Sequence, residues 1–497
     1  MDNPNFSITT AIAYTNGNPH IGHAYEIVCA DVIARFKRLL GYDVHFLTGT
    51  DEHGQKVSEC ALSNRLSPID YCDTIVEKFK KMYIKLAISN DHFIRTTSNE
   101  HIIKCQRVWN TMMKNNDIYL GMYRGWYCVR EELFVSEKEA QDADYKDPVT
   151  GKDLIKYEEE SYFFRLSKYN AQIIKHIDKN PQFIFPNSKR NEILERLKEP
   201  LVDLSISRTS VSWGIRVPDD NKHVMYVWFD ALINYLSGVP IEYLPTNIHL
   251  IGKDILWFHS VIWPAMLMSC NLPLPQQIVC HGFINDNKGQ KMSKSIGNIV
   301  DPCDIIDKYS IDMLRYYVIK TGIFGTDFSY SCNRLIECHD FELQATIGNL
   351  VNRIFTLTVK YCDSRVPIGE TENIIDLLQL TNIIENAIDN LRIQDAVEIA
   401  MNHMKLINNW LSLKKPWLKD NEKANTIRTV LESLYIVGHF LLPIIPISMT
   451  IMFDSLGHNP TNIFGLKQIN LIPGTKIVCC QQLFPRIMEN SYNRNKK

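Results

Sequence analysis

The feature that most constrains this chain is its opening order of apolar strand, tight turn, long amphipathic helix and second apolar strand. "FSITTAIAY" predicts a short, largely buried strand, and "NGNP" (Asn16, Gly17, Asn18, Pro19) a turn. From His20 to Leu40 the residues Ile21, Ala24, Ile27, Val28, Val32, Phe36 and Leu39 recur at helical spacing, and Gly41 is a suitable stop. "YDVHFLTGT" predicts the second strand, and "DEHGQKVSECA" leads into another helix. This βαβ unit is the building block of a parallel sheet, which puts the chain in the α/β class.

In such a unit the helix start lies at the carboxyl edge of the sheet, where its N–H groups and positive dipole end attract phosphate. His20 and His23 stand one turn apart there and can both donate to phosphate oxygens. No G-x-G-x-x-G accompanies them, which argues against a dinucleotide fold of the usual dehydrogenase kind. On this segment alone, two histidines that merely cap a helix and face solvent remain an equal reading.

A second signal stands far down the chain. "GQKMSKSIGN" follows "HGFINDNKG", in which Asp286, Asn287, Lys288 and Gly289 look like a hairpin turn. Lys291 and Lys294, interleaved with Ser293, Ser295 and Gly297, form a short polar loop able to close over a triphosphate and neutralise charge during its transfer. "HIGH" at His20–His23 and "KMSKS" at Lys291–Ser295 resemble the two signatures of class I aminoacyl-tRNA synthetases. "AYTNGNPHIGHAYE", "FLTGTDEHGQK", "YVWFDALINYL", "IGKDILWFHSVIWPAML", "HGF" and "TIGNLVNRIF" make the methionyl-tRNA synthetases the branch the chain resembles most. The resemblance covers almost all of it and is weakest at the C-terminal end.

The resemblance implies an α/β architecture: a Rossmann-type parallel-sheet catalytic domain (1–114 and 222–320) split by an insertion (115–221). A linker (321–348) and an all-α helical-bundle anticodon-binding domain (349–497) would follow. It implies a ligase that activates L-methionine with ATP and Mg2+, then esterifies tRNA(Met), initiator and elongator alike. His20, His23, Lys291 and Lys294 would be catalytic. Gly22, Gly252, Asp254, His281 and Ser293 would join them around ATP. Asp51 would pair with the α-ammonium, although locally a helix N-cap role for it is equally good. Trp228, Leu232 and Tyr235 fall on one helical face, more often plain core than a pocket. The resemblance assigns them, with Ala231, Ala11, Ile12, Tyr14 and His281, to the methionine side chain, and Tyr14 is the expected polar neighbour of the sulfur. Asn349, Arg353, Pro416 and Trp417 match anticodon-contacting positions, although in isolation Trp417 reads as bundle core.

Where relatives carry zinc knuckles, this chain offers Cys128 with Glu131 three residues on, and no second pair around Asp147 to Gly151. One thiol among carboxylates is a poor structural zinc site, so no zinc and the zinc-free subtype are expected. The thirteen cysteines are scattered without a Cys-x-x-Cys pair, which favours reduced thiols. A formal charge of −2 means that nucleic acid would have to meet a local basic patch. "MDNPNFSITTAIAY" lacks signal- and transit-peptide features, so a cytoplasmic location is expected. "LYIVGHFLLPIIPISMTIMF" is as long as a membrane span, but His439, Pro443 and Pro446 divide it into two bundle helices. Nothing after "NSYNRNKK" resembles an appended oligonucleotide-binding domain, which favours a monomer.

The alternatives are other functions of related chemistry. Synthetases for valine, isoleucine or leucine need a larger insertion, and the cysteine enzyme a zinc–thiolate pocket. A small-molecule adenylyltransferase would need neither the helical third nor the lysine loop. A non-catalytic tRNA-binding paralogue would have no use for both histidines, both lysines and Asp51.

Overall fold

A computed structural model of the chain describes residues 3–128, 133–135, 137–147, 151–292, 297–418, 422–478 and 482–487. The opening unit forms as its pattern dictates: β1 (Asn5–Thr10), β2 (Ala13–Tyr14), α1 (Ile21–Leu39) and β3 (Asp43–Asp51). Then come α2 (Gln55–Ser63), α3 (Pro68–Lys85), β4 (His92–Arg95) and α4 (Asn99–Lys114). Gly41 takes a φ of +83° just beyond α1, a conformation open to glycine at little cost.

β1 lies mid-sheet, parallel to β3 on one side (Ile8 opposite Phe46) and to Ile248–Gly252 on the other (Ile8 opposite Ile248). The order is β2, β3, β1, Ile248–Gly252, Gln277–His281, Ile184–Phe185, with β4 also paired to β3. Every pairing is parallel. A sheet of this kind must be covered on both faces. On one side the core runs from α1 and α3 without a break into the helical C-terminal third. On the other it is built around Trp109 of α4, Phe229 and Trp263.

Between the halves of the sheet, Leu133–Val135, Ile118–Cys128, Ile155–Phe164 and Leu204–Ser205 form an antiparallel sheet, held by pairing from Ile118–Phe164 to Tyr127–Ile155. Ile155–Phe164 pairs with both Ile118–Cys128 and Leu204–Ser205. Part of the stretch expected as insertion, 115–221, nevertheless belongs to the parallel sheet: Ile184–Phe185 is its outer strand. Cys128 is buried against Ala140 and Leu154, a packing role; Glu131 and residues 148–150 lie outside the described residues.

The last third is helical, with Asn349–Tyr361, Leu377–Asp389, Ile393–Lys414, Lys423–Leu441 and Pro446–Leu456 as its main elements. The apolar run from Leu434 is divided where expected, and Pro446 opens the second helix. Among the described residues no helix is long and apolar enough to cross a membrane.

Candidate active site

His20 is the N-cap of α1. Its Nδ1 accepts the N–H of Gly22 (3.1 Å), while His23 Nδ1 accepts the N–H of His20 (3.1 Å). Capping and phosphate binding were competing readings of this pair, and the geometry makes them compatible. With Nδ1 accepting, a neutral ring carries its proton on Nε2. Both rings line one cavity, with centroids 3.8 Å apart. Gly22 leaves room for this cap, since a Cβ there would lie 2.9 Å from His20 Cε1.

That cavity, of about 440 Å³, gathers residues from across the chain. Ala11, Ile12 and Tyr14 enter from the first strands, and His20, Gly22, His23 and Glu26 from α1. Asp51, at the tip of β3, is fixed by its backbone carbonyl, which accepts from Thr15 N at 2.9 Å. It is not the N-cap of α2, a position that Gly54 occupies.

The residues after Asp51 are anchored outward. Arg95 grips Glu52 with two bonds, at 2.7 and 2.8 Å. His53 Nδ1 meets Asp230 Oδ2 at 2.6 Å, and His101 Nε2 meets Asp230 Oδ1 at 2.7 Å. Burial alone would push the Asp230 carboxyl up, but the facing His53 and the bonds from His101 and His53 hold it below the ordinary range. His101, Cys105 and Asp230 come close enough together to hold a metal ion, yet hydrogen bonds already join them. This buried cluster ties the Asp51 strand end to the helix Val227–Leu232.

That helix and its continuation Asn234–Ser237 carry the residues expected to form the methionine pocket. Trp228, Ala231, Leu232 and Tyr235 all line the cavity, and Trp228 stacks on Phe258 with centroids 3.8 Å apart. The imidazole bonded to Tyr235 is His259, a residue the sequence reading passed over although "IGKDILWFH" contains it. Its Nε2 lies 2.7 Å from Tyr235 Oη, and its Nδ1 lies 2.9 Å from the Ile255 carbonyl. Nδ1 therefore donates and Nε2 accepts the tyrosine proton. Burial pulls the His259 pKa down to about 4, against a smaller opposing effect of the Ile255 carbonyl, so the ring is neutral at pH 7. Burial also raises Tyr235 far above the usual phenol range.

His281 was expected to serve both ligands, and it stands near Gly252 and Asp254. A Cβ on Gly252 would lie 2.7 Å from Asp254 Oδ1 and 3.8 Å from the His281 ring. His281 Nε2 meets Glu26 at 2.9 Å, and Nδ1 donates to the Gly282 carbonyl at 2.8 Å. Burial opposes the charged ring, but Glu26 and that carbonyl together raise its pKa. Glu26, three residues past His23, was also missed; its place in the second turn of α1 was the available signal. Lys56 also lines the cavity without having been expected there, its ammonium 5.6 Å from the Tyr14 ring centre.

The hairpin before the lysine loop forms as expected: Asp286 N bonds to the Gln290 carbonyl and Gly289 has a φ of +78°. Lys291 reaches the cavity with its ammonium 3.9 Å from the Phe283 ring centre. Ser293, Lys294 and Ser295 lie outside the described residues. In the bundle, Arg353 lies over the Trp417 ring at 4.9 Å and bonds to Ser412 at 2.8 Å. Trp417 is 37% exposed, so it is not plain core, whereas Pro416 is buried and seats it. Asn349 is exposed and bonds to the Ala345 carbonyl.

Comparison with known proteins identifies the family. The family described as "tRNA synthetases class I (M)" matches residues 6–148 and 141–355. The methionine–tRNA ligase of Brucella suis is 40% identical over 98% of this chain and 99% of its own length. That of Caldanaerobacter subterraneus is 40% identical over 97% and 79%. The crystal structure of Mycobacterium tuberculosis methionyl-tRNA synthetase bound by methionyl-adenylate superposes with a TM-score of 0.91 at 39% identity, covering 97% of this chain and all of that one. The apo form of that enzyme gives 0.84 at 36% identity, covering 98% of each chain. The chain belongs to the methionyl-tRNA synthetase family of class I aminoacyl-tRNA synthetases.

Proposed function

We propose that this chain activates L-methionine with ATP, forming methionyl-adenylate and pyrophosphate, and transfers the methionyl group to tRNA(Met). The observation that carries the reading is that one cavity unites the paired histidines of α1, Asp51, Gly252 with Asp254, Lys291, and the largely apolar wall of Trp228, Ala231, Leu232 and Tyr235.

In this reading the methionine carboxylate attacks the α-phosphorus, and no protein nucleophile is needed. Catalysis is positioning and charge stabilisation. Asp51 holds the α-ammonium. The Nε2–H groups of His20 and His23 hold phosphate oxygens, and Lys291 and Lys294 neutralise the departing pyrophosphate, with Ser293 alongside. Magnesium enters with ATP, held mainly by phosphate oxygens. Gly252 lets the nucleotide approach the backbone, Asp254 faces the ribose, and His281, held by Glu26, belongs with them. Ala11, Ile12 and Tyr14 complete the walls around the thioether, whose flexible apolar chain suits them.

The sulfur meets a neutral polar pair. Because Tyr235 donates its only proton to His259, the pocket presents tyrosine lone pairs and no free ion. Tyr14, beside Lys56, is the weaker candidate for this contact. A hydroxyl or thiol analogue would be discriminated chiefly by such polar matching, since size alone separates neighbours by about 1–3 kcal/mol per methylene.

The bundle reads the anticodon through Trp417, partnered by Arg353 and seated on Pro416, with Asn349 on the same helix as Arg353; exposed indoles suit stacking on unpaired bases. Both initiator and elongator tRNA(Met) are substrates, the protein acts as a monomer in the cytoplasm, and the division at 115, 222, 321 and 349 is carried with this reading. No structural zinc is required, and elemental analysis after exhaustive dialysis should find less than one zinc per chain.

The deciding experiment is ATP–pyrophosphate exchange with each of the twenty amino acids and no tRNA. Exchange with methionine alone is the expected result. Exchange with another amino acid would keep the fold and overturn the pocket, whereas silence with and without tRNA would leave a binding paralogue.

A further inference from the structure

Arg315 lies on the helix Ile311–Thr321 and is fully buried, and it is not among the residues that line the cavity. Its guanidinium joins four elements. Nε donates to the Ile444 carbonyl (2.9 Å), Nη2 to the Pro443 carbonyl (2.8 Å) and Nη1 to the Leu86 carbonyl (3.0 Å). Nη2 also pairs with Asp31 Oδ2 at 2.7 Å. Asp31 belongs to α1, the helix that His20 caps, and is held in turn by Arg35 and by the N–H and hydroxyl of Ser89. Leu86 ends α3, whose Phe79 packs edge-on against His23 with centroids 5.1 Å apart.

One turn before Arg315, Asp312 accepts from Ser448 N (2.6 Å) and Ile447 N (3.3 Å). The helix Ile311–Thr321 thus grips both sides of the turn between Lys423–Leu441 and Pro446–Leu456. A cation meets the carbonyls leaving one helix and a carboxylate meets the N–H groups opening the next, each matching the local dipole. The grip is on backbone, so it fixes where the turn lies whatever side chains the bundle carries. A buried guanidinium costs several kcal/mol of desolvation, and an apolar residue of similar size would often serve packing as well. Its presence therefore calls for a positional role, and the neighbouring elements supply one. The helix Lys423–Leu441 has 19 residues, about 28 Å. It begins shortly after Trp417 and ends at Arg315. From Asp31 back to His20 is about 16 Å of α1.

We propose that Arg315 is a positioning residue that fixes the anticodon end of the bundle relative to the phosphate-binding start of α1, by joining two rigid helices at one guanidinium. The inference rests on the activity proposed above. It assigns Arg315 no part in methionine activation, only in bringing a tRNA held at its anticodon into register with the cavity.

The test compares three rates in the full chain: methionine-dependent ATP–pyrophosphate exchange, charging of full-length tRNA(Met), and charging of an acceptor-stem minihelix without an anticodon. Arg315→Lys keeps the charge but cannot make the planar set of contacts. The neutral pair Arg315→Met with Asp31→Asn avoids an uncompensated buried charge should the lysine variant fold poorly, and Asp312→Asn loosens the other arm of the grip. Exchange and minihelix charging should stay within about twofold of the parent, while kcat/KM for full-length tRNA falls about tenfold, the size of a typical coupling between distant sites. Exchange falling in step with charging would make Arg315 a strut of the cavity and overturn the proposal, as would unchanged full-length charging. Absence of methionine-dependent exchange in the parent protein would instead remove the activity reading itself.

Discussion

In the reading proposed above, the cavity has a phosphate end and a methionine end, and the two would hold their ligands by opposite means. At the phosphate end, donors come from a helix start, with imidazoles fixed by the backbone N–H groups they accept and an ammonium arriving on a hairpin. At the methionine end Ala231, Leu232 and Tyr235 are buried and Trp228 and Tyr14 half-buried, and the polar pair Tyr235–His259 is hydrogen-bonded within itself, with His259 neutral at pH 7. The difference follows what each end must bind. A triphosphate keeps its charge and is met by groups that can donate into water. A thioether offers little beyond shape and polarisability, so its site must be closed and pre-formed.

Changes at the two ends should therefore fail in different ways. The largest effect is expected from His23→Ala, which removes a donor made useful as phosphate charge redistributes. Exchange should fall about 10³-fold, while the melting temperature moves little because α1 remains packed along its length. A loss of activity explained wholly by unfolding would erase the contrast.

The next effect is on stability. The folded His259 pKa is about 4, below about 6.5 in an unfolded chain. A depressed histidine favours the neutral form, so its contribution is fully present above pH 6.5 and declines as pH falls towards 4. At pH 5 the loss is about 2 kcal/mol. His439, also at about 4 by burial in the bundle, adds its own term. The pH dependence of denaturant unfolding for His259→Gln should accordingly be shallower than that of the parent by about one proton. Identical slopes would mean that His259 is charged in the fold.

The smallest change is Tyr235→Phe. It leaves the shape of the pocket but deprives His259 Nε2 of its donor, at about 1–3 kcal/mol. The methionine KM should rise about tenfold, with the ATP KM unchanged. A rise in both would show that the two ends are not independent.

How far each end was legible in the sequence follows the same division. The phosphate end is local: a strand, a turn and two histidines one helical turn apart left capping and phosphate binding equal readings, and the lysine loop with the family resemblance tipped the balance. At the methionine end Trp228, Leu232 and Tyr235 share a helical stripe that by itself reads as core, and only the family resemblance marked it as a pocket. His259 was not legible, since its partner lies on another helix and spacing along one element says nothing of it. For the same reason His53, Asp230 and His101, from three separate elements, gave no signal, and neither did the bond between His281 and Glu26. Glu26 was within reach, one turn beyond His23, but a carboxylate among phosphate donors looks out of place until its bond to His281 is seen. The helical third was plain from its periodicity, whereas the return of Ile184–Phe185 to the parallel sheet was hidden in a two-residue strand.

That short strand bears on how the chain could be re-engineered. A segment whose ends leave and re-enter a domain side by side can be cut out or exchanged as a cassette. Here the stretch from 115 to 221 is stitched into its host, because its middle supplies the sheet's outer edge. Removing all of it would strip Gln277–His281 of its outer neighbour and bare backbone groups beside Gly252 and His281. Grafting a different module should replace only the antiparallel layer, 118–164 and 204–225, and leave the thread between them in place.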